Sequence, residues 1–73
     1  MENTLSHIHI FKTNIDKENL HEIKNVFKNE LIAEWTVDIE DCDRVLRVVS
    51  HDLTKAEIMS LVCWHGFECA ELA

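Results

Sequence analysis

The sequence predicts a single α+β domain built in the order strand, helix, strand, strand, helix, strand. Three observations carry this. One segment, Trp35-Thr36-Val37-Asp38-Ile39, alternates apolar and polar residues at period two. Two segments space their apolar residues three and four apart behind residues suited to helix N-caps. The chain has one glycine and no proline, which leaves no room for a linker or a second domain, so residues 1–73 are expected to form one unit.

The first strand is expected in His7-Ile8-His9-Ile10-Phe11-Lys12-Thr13, which is rich in β-branched and aromatic residues. Its alternation slips at Ile10-Phe11. Either Ile8 and Ile10 face the core, or a bulge transfers the inward role to Phe11.

Asp16 can then accept from the free amides of a first helical turn, with Ile15 stapling onto Leu20. Leu20, Ile23, Phe27 and Leu31, with Val26 alongside, make one apolar stripe, and Lys17, Glu18, Glu22, Lys24 and Lys28 take the outer side. The second strand follows with Trp35, Val37 and Ile39 on its covered face. A polar break over Glu40-Asp41-Cys42-Asp43 leads into a third strand, where Leu46 and Val48 share a face.

Thr54-Lys55-Ala56-Glu57 matches the capping box, and Leu53 and Ile58 repeat the staple. Ile58, Leu61, Val62 and His65 mark the inner stripe of this second helix. Gly66 stands where a left-handed C-terminal residue ends it, and residues 67–72 supply a short closing strand. Two strand-helix-strand units with right-handed crossovers make a ferredoxin-like βαββαβ sandwich. In it a four-stranded antiparallel sheet carries both helices on one face, with the first and third strands central and the second and fourth at the edges.

Fourteen acids against seven bases give a formal charge of −7, which disfavours phosphate backbones and anionic lipid as partners. No apolar run approaches the roughly 20 residues that cross a bilayer. Met1-Glu2-Asn3-Thr4 lacks the basic start and apolar stretch of a signal peptide, so a cytoplasmic location is expected. Cys42, Cys63 and Cys69 cannot all pair internally and are expected as thiols.

The residues then resemble a known family. Phe11-Lys12-Thr13-Asn14-Ile15 leading into the first helix, Trp35-Thr36-Val37-Asp38 with Leu46-Arg47-Val48, and His65-Gly66-Phe67-Glu68-Cys69-Ala70-Glu71 look like the heavy-metal-associated domain of copper chaperones and metal-transporting ATPases. The resemblance spans nearly the whole chain. It implies a CxxC pair at the start of the first helix, whose thiolates would bind Cu(I) or Zn(II). Those positions here hold Lys17 and Leu20. A protonated ammonium offers no lone pair and leucine cannot coordinate, so the family's metal site is degenerate and no cofactor is expected.

Other constellations are weaker. His7 and His9 could chelate a borderline cation from one strand face, but two ligands fall short of a structural zinc site, and exposure on the open sheet face is the simpler reading. Cys63, His65 and Cys69 could supply an alternative Cu(I) or Zn(II) site, with the metal shared across a homodimer. Cys63 and His65 diverge on a helix, however, and Cys69 packs naturally as a small apolar residue. The acidic run Asp38, Glu40, Asp41 and Asp43 lacks the spacing and glycine of an EF-hand, and reads as a solvated hairpin tip.

Ser50-His51-Asp52 has the residue types of a catalytic triad, but consecutive residues cannot converge on one point, so a turn is expected there. No phosphate loop, nucleophile elbow or HExxH occurs, and no enzymatic activity is expected. What remains is binding to a protein partner or to a second copy. It could run through an edge strand, or through Trp64, which falls between the buried positions of its helix and suits a hot-spot anchor.

Overall fold

Alternation and helical spacing become a sheet with two helices in the computed structural model, which describes residues 7–72. The reading of Met1 to Thr4 lies outside them. Strands β1 (Ile8–Thr13), β2 (Glu34–Asp38), β3 (Val45–Val49) and β4 (Cys69–Glu71), with helices α1 (Leu20–Val26) and α2 (Lys55–Trp64), follow the expected chain order. The sheet order is β2-β3-β1-β4 with every neighbouring pair antiparallel, so β1 and β3 are central and β2 and β4 form the edges.

The register explains the core. His9 stands opposite Val48 and Phe11 opposite Leu46, while Trp35 and Val37 of β2 pair with the same Val48 and Leu46. These residues share the inward face. Ile23, Val26 and Phe27 of the first helical segment and Ile58 and Val62 of α2 join Phe11, Leu46 and Val48 in one buried cluster. Fully burying each such side chain contributes about 1.5–3 kcal/mol. The Phe27 and Trp35 rings meet at 5.5 Å, which ties the end of α1 to the edge strand.

Four expectations require correction. Ile8 and Ile10 do not face the core, and no bulge intervenes. His9, Phe11 and Thr13 point inward along the whole of β1, and Ile10 is 39% exposed. His9 is therefore a core histidine, not a residue of the open face. One parity of this strand carries Ile8 and Ile10 and the other Phe11, and the larger Phe11 ring takes the interior.

The first helix begins as a 3-10 turn, Lys17–Asn19, in which Asn19 Oδ1 accepts from the Asp16 amide at 3.1 Å, and it ends at Val26. Leu31 is thus outside the helix and 42% exposed, with Ile32 buried in its stead. Asn29 causes the change, because its side chain accepts from the Leu31 amide at 2.8 Å and turns the chain toward β2. His65, expected on the inner stripe, is exposed and sets its Nδ1 2.9 Å from the Leu61 carbonyl.

The second helix starts and stops as its sequence dictates. Thr54 Oγ1 accepts from the Glu57 amide at 3.2 Å, and Glu57 Oε1 accepts from the Thr54 amide at 2.9 Å. At the other end Gly66 adopts φ +90°, Gly66 N–H reaches the Cys63 carbonyl at 3.0 Å and Phe67 N–H the Val62 carbonyl at 3.4 Å. This is the Schellman arrangement, which needs a residue free of the left-handed penalty at Gly66.

Candidate functional site

Five regions hold the chemistry-bearing side chains: the corner between β1 and α1, the end of α2 with β4, the turn between β2 and β3, the histidine-bearing end of the sheet, and the outer face of α2.

At the first corner, Thr13 is buried and its hydroxyl serves twice. It donates to the Arg44 carbonyl at 2.6 Å and accepts from the Ile15 amide at 3.2 Å. Arg44 has a left-handed φ of 45° and its guanidinium pairs with Asp16 and donates to the Ile15 carbonyl at 3.3 Å. The loop before the first helix is thus fastened to the β2–β3 hairpin. Lys17 is exposed at the start of the 3-10 turn, and Leu20 is half-buried against the core. Neither side chain is of a type that ligates a soft cation.

At the second region, Cys63 is exposed and Cys69 half-buried, and both line a cavity of about 530 Å³ with Lys12, Phe67 and Glu68. Burial first, and the neighbouring Cys63 second, push the Cys69 thiol up to about 12. Such a thiol is almost wholly protonated at neutral pH and is a poor ligand and nucleophile. Glu68 N–H donates to Asn14 Oδ1 at 2.9 Å, so this region does approach the loop after β1.

Among the described residues, Cys63, His65 and Cys69 do not gather their ligand atoms within 4.8 Å of one another. The one set that does is Asp41, Cys42 and Asp43. It sits on an exposed turn where Asp41 Oδ1 accepts from the Asp43 amide at 2.8 Å, as the hairpin-tip reading expects.

The histidines divide. His9, buried between β1 and the start of α2, has its pKa lowered by desolvation and by the Lys55 charge, against a hydrogen bond to the Leu53 carbonyl that raises it. The His7 and His51 rings lie 4.0 Å apart at the same end of the sheet. Ser50 is a structural hub, donating to the Leu31 carbonyl at 2.5 Å and accepting from the Leu53 amide at 3.1 Å, while His51 and Asp52 are exposed. Ser50 precedes a bend that His51 and Asp52 form with Leu53, not a hydrogen-bonded turn.

The outer face of α2 differs from all of these. Trp64 is 85% exposed, on a groove of about 530 Å³ that Asn29, Leu53, Ala56, Glu57, Ser60 and Leu61 also line. No family model matches this chain, and neither a curated protein nor a solved structure matches it. Sequence periodicity singled out Trp64 but missed Glu57, whose place in the capping box masked its second position on the groove. Its spacing to Trp64 was the available signal.

Proposed function

We propose that this chain is a ferredoxin-like, heavy-metal-associated-type domain that is non-enzymatic, lacks the family's metal site, resides in the cytoplasm and acts by protein contact. Support for the scaffold comes from the chain order of its elements and from central β1 and β3. Support for a lost metal site comes from Lys17 and Leu20.

The observation that carries the contact reading is Trp64. An indole 85% exposed on a groove retains a large apolar area in water that a partner would remove, and tryptophan is enriched among the few residues that dominate interface energetics. Isothermal titration of the reduced chain with Cu(I) and Zn(II) tests the reading. No stoichiometric uptake at submicromolar affinity is expected, and such uptake would refute it.

The second reading, a metal held by Cys63 and Cys69, draws on their shared cavity. It predicts uptake that is lost in Cys63→Ser.

A further inference from the structure

The groove on α2 has a chemical polarity that identifies its occupant. Leu53 and Leu61 are half-buried and pack against the core, so they form its floor. Ala56 and Ser60 are small and exposed, and leave the trough open. Glu57 and Trp64 both line it, with Asn29 beside them, and stand seven residues apart, which on a helix is two turns and about 10 Å along the same face. No lining residue is cationic. Glu57 Oε1 accepts from the Thr54 amide, while Oε2 has no hydrogen bond or ion pair among the described residues. The Thr54 hydrogen bonds hold this carboxyl below its usual value, so it is ionised at neutral pH.

A carboxylate and an exposed indole on one groove with half-buried leucines suit one type of side chain. A guanidinium stacks on an aromatic face within about 6 Å of its centroid. It can fork to a carboxylate within about 4 Å. The two distances together are of the order of the about 10 Å helical rise between Glu57 and Trp64, so one guanidinium can reach both, and the aliphatic stem of an arginine would lie over Leu53 and Leu61. The charge of −7 extends this preference beyond the groove, drawing in basic segments and opposing a second copy of the chain. Lys55, the nearest cation on the helix, is already paired with Glu71 at 2.5 Å.

We propose that the α2 groove binds an arginine-bearing basic segment of a partner protein, its guanidinium held between Glu57 and Trp64. This rests on α2 being the contact surface. The test is calorimetric titration of the full chain with a synthetic peptide alternating arginine and leucine, and with its glutamine-for-arginine counterpart. The arginine peptide should bind the more tightly by about tenfold or more, and Trp64→Ala and Glu57→Gln should each weaken it by about tenfold.

Glutamine still satisfies the capping box, so Glu57→Gln keeps the helix start. Glu22→Gln on α1 makes the same change in net charge and should alter affinity by less than about twofold. Equal binding of the glutamine peptide, an unaffected Glu57→Gln, or an equal loss in Glu22→Gln overturns the basic-partner inference but leaves the contact reading standing. If Trp64→Ala binds both peptides as the parent does, both fail.

Discussion

Thr13 Oγ1 donates to the Arg44 carbonyl at 2.6 Å and so joins the end of β1 to a left-handed residue at the start of β3. A left-handed backbone at a residue other than glycine costs about 1–2 kcal/mol, and the contacts of Arg44 with Thr13, Ile15 and Asp16 offset it. The loop before the first helix is thus tied to the start of β3 by hydrogen bonds of this chain's own side chains.

Thr13→Val removes the hydroxyl while keeping the shape. The Arg44 carbonyl and the Ile15 amide lose their partner, and stability should fall by about 1–3 kcal/mol in urea unfolding. A change under about 0.5 kcal/mol would show that water replaces the hydroxyl without cost.

The inward parity of β1 is tested by two substitutions in adjacent positions. Phe11→Ala should cost about 3–5 kcal/mol because Phe11 is fully buried. Ile10→Ala should cost under about 1 kcal/mol because Ile10 is 39% exposed. The reverse order would place the other face of the strand in the core.

His9 links stability to pH. Its native pKa lies below the ordinary 6.5, so the unfolded chain binds its proton first on acidification. Its contribution is complete above pH 6.5 and is lost as pH falls from there through the lowered native value. Urea midpoints measured from pH 7.5 down to pH 5 should therefore decline, and His9→Leu should flatten that part of the decline belonging to His9. An unchanged slope in the variant would contradict a desolvated His9.

The cysteines should react unequally. Iodoacetamide at neutral pH should modify exposed Cys63 at least about tenfold faster than Cys69, whose thiol is pushed up to about 12. Mass spectrometry of digests taken over time reads this directly, and equal rates would mean that Cys69 is not shielded.

Much of the fold was legible because local chemistry and global packing agree. The Thr54 and Glu57 pair, the Gly66 stop and the alternation of β2 each pointed to the element that forms. Where two apolar neighbours compete, the sequence could not decide. Ile10 against Phe11 was settled by what fits opposite Leu46, and Leu31 against Ile32 by the Asn29 side chain, which turns the chain after the helix has ended at Val26. At the candidate site, Trp64 was legible from helical spacing alone. Glu57 was not, because one residue serves both the helix cap and the groove. His65 left the inner stripe because the helix closes at Trp64, and its ring turns back to the Leu61 carbonyl.

The most direct test of a domain that acts by contact through α2 is nuclear magnetic resonance of the chain with the arginine–leucine peptide. Intermolecular cross-peaks should link the Trp64 indole and the Ala56 methyl to arginine side-chain protons, with the largest amide shifts in α2. Shifts confined to β2, or to Lys17 and Leu20, with the indole unmoved, would contradict the account.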